Sequence, residues 1–474
     1  MGHTPPGHPK IFTMEDTSEV TTHAVISYYH GNKYDGKWTV VFKHPISQAI
    51  REGAALFSKE GKINAFGTKL LLKSPTTTGS DEKVSKKRKK DEDDSIPCGT
   101  FLRPDIPTLL EKSRPSSFGR GDETVYNEDV RKGRELCPDM LDVSLSDGRF
   151  PRRELRQALF PNSSLKFKFS KLAIYEPGGH FHVHRDTVRS HDHQGTLLIE
   201  VKSTHTGGDL VLEHNGEEVR WSLEPIIDYD SVRYIAFFTD INHRVEPVLS
   251  GARLVLQYDI YVTPRKKADG EDDDDEEEDD EEEEEEEEEE DVNNGGFFGQ
   301  TMSFPSAVIS TSFITKLLES VASCITNELS ISFPLFHLYT DAQLLPSRLK
   351  SSDQQIFSAL LSHGYHVLLV PVEIIAESNY EGNYRESRYG GPTYKIRSLS
   401  TSPNGYLLQD GVTISKSHSP HSIMYVATGF EQLIQLDETS YIEYTGNEAA
   451  PAKFKYFQSV FVVSTQSAPL GKEV

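Results

Sequence analysis

The stretch Tyr175-Glu-Pro-Gly-Gly-His-Phe-His-Val-His184-Arg-Asp186 carries His180, His182, His184 and Asp186 at alternating positions. On an extended strand, residues two apart project to the same side. His184 and Asp186 therefore point into one space. A third donor must come from elsewhere in the chain. His243 lies 57 residues beyond Asp186 and just past the apolar stretch Tyr234–Phe238, which suits it to that role. Two imidazoles and one carboxylate on a single face suit Fe(II) and leave coordination positions open for small-molecule ligands. Ten residues after His243, Arg253 opens another apolar strand. A guanidinium there can pair bidentately with a carboxylate of a small diacid. The histidines His191, His193, His205 and His214, with His180, read as loop or supporting residues. His182 shares the alternating face and is expected to line the cavity.

Such a site needs a stiff frame, and the flanking sequence predicts one. Leu165, Phe167 and Phe169 alternate with Lys166 and Lys168, the period of a half-buried strand. Further strands read at Leu172–Tyr175, Thr196–Val201, Asp209–Glu213, Tyr234–Phe238 and Arg253–Val262. Pro177-Gly178-Gly179, Gly207-Gly208 and Asn215-Gly216 punctuate them, as turn chemistry requires. Short strands with few helices predict a β-sandwich or jelly roll. Around this core the chain divides into residues 1–73, a charged linker at 74–98, a domain at 99–264 with its core at 165–262, an acidic linker at 265–299 and a C-terminal domain at 300–474. The first region shows a strand at Trp38–Phe42 and a helix over Ile46–Phe57. The last shows helices at Ser312–Leu329 and Gln354–Ser362, and strands at Tyr365–Val372 and Phe457–Val463. It has no His-x-Asp, so it is not a second metal site; a substrate-holding unit and a degenerate copy both remain open. The fold class is α+β, a double-stranded β-helix core with flanking helices plus a C-terminal α/β-mixed unit.

Composition narrows the function classes. The 474 residues are 36% hydrophobic, with 24 Phe and 20 Tyr to fill cores, and the length suits two or three units. The net charge of −24 is misleading, because Glu271–Asp291 is an unbroken run of 21 acidic residues. Removing it from the 74 acidic residues leaves 53 against 50 basic ones, a net of −3. The folded body is nearly neutral, which argues against nucleic acid as its partner. The run itself reads as a self-repelling linker, with capture of a basic protein as the alternative. Lys86-Lys87-Arg88-Lys89-Lys90 reads equally as a nuclear localisation signal or a solvated loop. Cys98, Cys137 and Cys324 lack zinc-finger spacing and cannot build a disulfide framework, so a reducing, intracellular setting, nucleus or cytoplasm, is expected. Met1–Lys10 has no signal-peptide core, and Pro6 stands where myristoylation wants Ser or Thr. No stretch approaches the apolar length of a membrane span.

Taken together, these residues resemble the Fe(II)/2-oxoglutarate dioxygenases, specifically the prolyl 4-hydroxylase type. That family's pattern is a Tyr, a His-x-Asp, a Gly-Gly strand, and a distal His followed about ten residues later by Lys or Arg. The resemblance implies that His184, Asp186 and His243 bind Fe(2+). It implies that Arg253 binds the distal carboxylate of 2-oxoglutarate and that Tyr175 also touches this cosubstrate. Gly207-Gly208-Asp209 is similar to the family's Gly-Gly-Glu strand, and Ile235–His243 with Gly251–Tyr258 is similar to the closing half of its barrel. Departures are Leu210 where many relatives place a Thr, His182 where a Tyr is common, and Arg253 where collagen-type enzymes use Lys. The segments Ser117–Gly121 and Thr445–Glu448 are similar to stretches of uncharacterised superfamily members.

The implied activity is decarboxylation of 2-oxoglutarate to succinate coupled to hydroxylation of a C–H bond. By resemblance the substrate is a prolyl residue of a protein, and L-ascorbate joins the expected cofactors. Phe181, Val183 and Leu198 are expected to keep the pocket dry. Two alternatives stand beside this reading: a catalytically inactive jelly roll used for protein interaction, and a nucleic-acid demethylase of the same superfamily.

Overall fold

A computed structural model of the protein describes residues 24–30, 33–41, 45–52, 56–73, 95–120, 123–161, 163–223, 230–264, 311–325, 330–340, 343–377, 393–398, 406–408, 412–414, 423–426, 433–435, 444–445 and 458–465. The basic cluster Lys86–Lys90 and the acidic run Glu271–Asp291 lie outside them. No helix of the described residues is long and apolar enough to cross a membrane.

Two antiparallel sheets form the jelly roll. The larger has seven strands in the order Ser58–Asn64, Ser231–Phe238, His193–Val201, Arg253–Pro264, Ser163–Tyr175, Arg134–Leu136, Arg114–Pro115. The smaller has five, in the order Glu217–Trp221, Leu210–His214, Asn242–Val245, His180–His184, Arg131–Lys132. One core joins them. Leu197, Ile199, Leu254 and Leu256 enter it from the larger sheet, and Phe181, Leu210, Leu212 and Val245 from the smaller. His193–Val201 is buried at every residue, as a strand paired on both sides within the sheet and covered on both faces must be.

The expected strands at Leu165–Phe169 and Leu172–Tyr175 prove to be one 13-residue strand, Ser163–Tyr175. It pairs along its whole length with Arg253–Pro264, from Ser163↔Pro264 to Tyr175↔Arg253. A register shift between Phe169 and Lys171 absorbs the break in alternation. A bulge inserts one residue and keeps the ladder going, so the loss of period there is not a strand end. The other core strands lie within three residues of their expected starts.

The described strands of the N-terminal region, 1–73, fall in three sheets. Ser58–Asn64 edges the seven-stranded sheet beside Ser231–Phe238. Leu70–Leu72 pairs with Leu141–Val143. Ala24–His30 and Lys33–Val41 instead belong to the sheet of the C-terminal unit, where Trp38–Val41 runs parallel to Ile423–Val426. Helix Pro45–Glu52 is shorter than the expected Ile46–Phe57. Its Ile46, Ala49 and Ile50 form an i, i+3, i+4 face and share a core with Phe313, Leu317 and Val321, whereas Phe57 is buried in the jelly-roll core.

The C-terminal unit is a mixed sheet with two helices. Ser330–Pro334 pairs antiparallel with Gln458–Thr465 and parallel to Ile423–Val426. Tyr365–Glu377 pairs antiparallel with the other side of Gln458–Thr465. The helix Thr311–Cys324 ends five residues before the expected Leu329, and Ser351–Ser362 begins three residues before the expected Gln354. Tyr444–Thr445 pairs with Gly119–Arg120 of the jelly-roll unit.

Candidate functional site

His184 closes the strand His180–His184 and stands opposite His243 in the antiparallel ladder. Asp186 follows two residues past the strand end. All three side chains are buried, and one ligating atom from each lies within 4.8 Å of the others. The imidazole centroids are 4.1 Å apart, and His243 Nε2 is 3.8 Å from Asp186 Oδ1.

The backbone sets the tautomer of both rings. His184 Nδ1 lies 2.8 Å from the carbonyl oxygen of His182, and His243 Nδ1 lies 2.9 Å from that of Ile241. A carbonyl only accepts, so both Nδ1 atoms donate and each neutral ring keeps its lone pair on Nε2. Second interactions of this kind fix ring orientation and raise ligand basicity. Burial, and then the neighbouring His243, hold the His184 imidazole well below the usual histidine range. Asp186 is held equally firmly: its Oδ2 accepts from Thr196 Oγ1 at 2.5 Å, and its backbone N–H donates to Thr239 O at 3.2 Å. Two imidazole nitrogens and one carboxylate oxygen, all buried and within 4.8 Å of one another, form a donor set for a divalent metal.

His182 does not line this space. The ladder between His180–His184 and Asn242–Val245 shifts register between Phe181 and His184. The bulge breaks the alternation that would have put His182 beside His184. Phe181 takes that place, buried and stacked on the His184 ring at 3.5 Å. His182 is exposed. Its ring lies against His180 instead, with centroids 5.3 Å apart.

Arg253 faces Tyr175 across the central ladder. It is 1% exposed, and among the described residues none of its three guanidinium nitrogens has a hydrogen-bond partner. The rings of Tyr175 and Trp221 flank it at 5.8 and 6.0 Å. Burial pushes its pKa down to about 10, against the upward pull of Tyr175, Asp209 and Glu200. A buried cation with donors unused is costly, and five N–H groups in a planar fork match a carboxylate. This is the cradle a diacid would fill. Gly208 makes room for it. At φ +76° it occupies the left-handed region, and a Cβ there would come 3.0 Å from Arg253 Cδ and 2.8 Å from Val248 Cγ2.

Sequence reasoning missed several contributors. Thr196 is read in sequence only as the start of a strand and Phe181 only as a pocket residue, and Trp221 is not singled out there at all. A buried charge cluster was missed as well. Lys171 Nζ and Arg131 Nη2 each lie 3.8 Å from Glu135 Oε2. Burial would raise the Glu135 carboxyl, but Lys171, Arg131 and Arg114 together hold it below its ordinary value. Burial and then Arg131 push Lys171 down to about 7. A lysine at the point where the strand period breaks was the available signal.

Comparison with known proteins follows the same residues. Residues 170–260 match the family model of the 2OG-Fe(II) oxygenase superfamily. Similar solved structures include an oxidoreductase of the 2OG-Fe(II) oxygenase family from Burkholderia pseudomallei, 15% identical over 33% of this chain and 77% of that one, with a TM-score of 0.22. A prolyl-4-hydroxylase from Pseudomonas putida is 18% identical over 33% of this chain and 80% of that one, also at 0.22. A prolyl hydroxylase from Trichoplax adhaerens, solved in complex with a peptide fragment of the hypoxia inducible factor oxygen degradation domain, is 17% identical over 30% and 70%, at 0.21. No curated protein matches the chain. The matched segment contains His184, Asp186, His243 and Arg253, so it is over the residues of this site that the chain is similar to the 2OG-Fe(II) oxygenase superfamily.

Proposed function

We propose that the protein is an Fe(II)- and 2-oxoglutarate-dependent dioxygenase that hydroxylates a protein substrate at a prolyl residue. The observation that carries the reading is the pairing of a buried His184–Asp186–His243 donor set with a buried Arg253 that has no hydrogen-bond partner among the described residues, in one jelly roll. Prolyl specificity rests on the likeness of Tyr175, His184-x-Asp186, Gly207-Gly208, His243 and Arg253 to the prolyl 4-hydroxylase pattern. Bound Fe(II) and 2-oxoglutarate supply the oxidising chemistry, with succinate as coproduct.

The chain's own contributions follow from its contacts. His184 Nε2, His243 Nε2 and an Asp186 oxygen hold the metal, with rings and carboxylate already oriented by His182 O, Ile241 O and Thr196 Oγ1. Arg253 pairs with the distal carboxylate of the cosubstrate. Tyr175 and Trp221 confine the guanidinium between ring faces, so its orientation is set before the ligand arrives. Phe181, stacked on His184, and buried Leu198 exclude water from the metal side of the pocket. Leu210, buried, adds an apolar wall where a hydroxyl is usual in relatives.

The test is Fe(II)-dependent succinate release from 2-oxoglutarate, measured without added substrate. Wild type is expected to turn over, and His184→Ala and Asp186→Ala to abolish turnover. A His184→Ala protein as active as wild type overturns the site. A folded wild-type chain that binds metal and 2-oxoglutarate without releasing succinate supports an inactive interaction module instead.

A further inference from the structure

A second group of buried charges lies where the C-terminal unit meets the jelly roll. Asp240, two residues past the end of the strand Ser231–Phe238, and Lys350 have fully buried side chains joined by a 2.6 Å ion pair. The same carboxylate accepts from His337 Nδ1 at 3.2 Å and from the backbone N–H of Leu338 at 2.9 Å. All three donors come from residues 337–350, far from Asp240 in sequence. Lys350 Nζ also donates to Leu338 O at 3.0 Å.

The tripeptide Thr239-Asp240-Ile241 uses its three carbonyls on the metal side. Thr239 O accepts from the backbone N–H of Asp186 at 3.2 Å. Asp240 O accepts from Arg185 Nε at 3.1 Å, and Arg185 lies between His184 and Asp186. Ile241 O accepts from His243 Nδ1 at 2.9 Å. Both ligand-bearing segments are thus tied to these three residues, and the one side chain among them that carries a charge is gripped by the C-terminal unit.

The gripping segment is itself tied together by buried hydrogen bonds. Asp353 accepts from the backbone N–H groups of Phe336 and His337 and from Tyr339 Oη. Tyr339 Oη in turn accepts from the backbone N–H of Lys350 at 2.8 Å. Two more bonds cross the junction beside the site: Gln343 Nε2 donates to His193 O at 2.9 Å, and Gln194 Nε2 donates to Arg348 O at 3.2 Å. The ring of His337 stacks on His214 and packs edge-on against Phe238. A buried ion pair by itself is weak evidence for stability, because apolar residues of similar volume often do as well. Its placement on the tripeptide that orients the ligands is what gives this one a further use.

We infer that Asp240, Lys350 and His337 are positioning residues for the metal centre, so that the C-terminal unit completes the active site of the jelly roll by fixing residues 239–241. The inference rests on the proposed metal site and deepens it. None of the three residues belongs to the donor set of His184, Asp186 and His243; they act through the carbonyls that hold Arg185, Asp186 and His243.

The test is Co(II) titration of the full-length apoprotein, read by calorimetry and by the visible spectrum, with His184→Ala giving the background from the acidic run. Asp240→Asn and Lys350→Met are each expected to weaken Co(II) binding at the site by on the order of 10- to 100-fold, the range for loss of a group that orients metal ligands, and to alter the Co(II) spectrum at saturation. The double variant Asp240→Leu with Lys350→Met removes both charges of this pair together and is expected to fold while still binding Co(II) weakly. Wild-type Co(II) affinity and spectrum in the double variant, whatever its melting temperature, overturn the inference and leave the pair a docking contact alone. A His184→Ala chain that binds Co(II) like wild type sinks the metal-site reading separately.

Discussion

Arg253→Met is expected to leave the stability of the apoprotein nearly unchanged while sharply weakening its affinity for 2-oxoglutarate. The guanidinium is buried with no hydrogen-bond partner among the described residues. Burial lowers its pKa from 12.5 to about 10, a cost of about 3 kcal/mol at about 1.4 kcal/mol per unit. The sign is fixed by the direction. The folded-state pKa lies below the unfolded one, so the charge opposes folding throughout the pH range below about 10, neutral pH included. Replacing the side chain with an apolar one of similar length removes this cost. It also removes the contacts of the cation with the Tyr175 and Trp221 rings, each worth ~0.5–2 kcal/mol. The two effects nearly cancel, and the apoprotein is expected to melt at or slightly above the wild-type temperature.

Binding tells the other half. A carboxylate enclosed in that pocket without its cation loses on the order of 2–5 kcal/mol, roughly 30-fold to several thousandfold in affinity. Calorimetric titration of 2-oxoglutarate into Mn(II)-loaded wild type and variant measures the loss, and circular dichroism of the apoproteins measures stability. Wild-type affinity in Arg253→Met refutes the role given to this residue. Equal loss of Mn(II) and 2-oxoglutarate with a lowered melting temperature shows instead that the guanidinium supports the fold.

Gly208→Ala, forced to φ +76° with its Cβ 3.0 Å from Arg253 Cδ, is expected to lose ~1–2 kcal/mol of stability and to weaken 2-oxoglutarate; unchanged urea midpoint and affinity would show that the loop relaxes freely. Lys171, lowered to about 7 from an ordinary 10.5, makes the unfolded chain hold a proton that the folded apoprotein releases between those values, so stability rises with pH there. Lys171→Met should flatten that rise, and an identical slope between pH 7 and 9 by urea unfolding, values inside that window, would contradict it. Deleting Glu271–Asp291 is expected to lower nonspecific divalent-metal uptake, to weaken capture of basic proteins most at low salt, and to leave succinate release intact. Loss of turnover in the folded deletion protein would make the run part of the catalytic unit. Replacing Lys86–Lys90 by Ala should shift a tagged protein from nucleus to cytoplasm, and an unchanged distribution leaves the cluster a solvated loop.

The site was legible in sequence to the extent that its chemistry demands residue types at strand spacing. His184 and Asp186 sit two apart where an extended chain must aim them together, and the structure brings His243 to them. Tyr175 and Arg253, far apart in sequence, proved to be register partners. What escaped depends on single-residue shifts in pairing. The bulge after Phe181 exchanges His182 for a phenyl ring against His184, and the one after Phe169 joins two expected strands into one. Periodicity assumes an uninterrupted ladder, so it fails wherever a bulge inserts a residue. The distribution of the described N-terminal strands among three sheets escaped for a related reason: the parallel pairing of Trp38–Val41 with Ile423–Val426 spans nearly the whole chain, and no local pattern encodes such a partner.

The same limit hid the grip on Asp240. In sequence, Asp240 is a turn residue and Lys350 precedes a helix, each an ordinary place for a charge. Their significance lies in what the fold withholds from them, namely water. With side chains fully buried, neither charge can be kept without the other, and a chain that retains both spends stability that apolar residues could have preserved. The carbonyls of residues 239–241 supply a reason for keeping them, since they fix the backbone on which two ligand-bearing segments rest. Metal affinity falls steeply when ligands lose their orientation. A charge pair at the junction of two units, costly as a staple, is therefore intelligible as a means of holding a metal site in register.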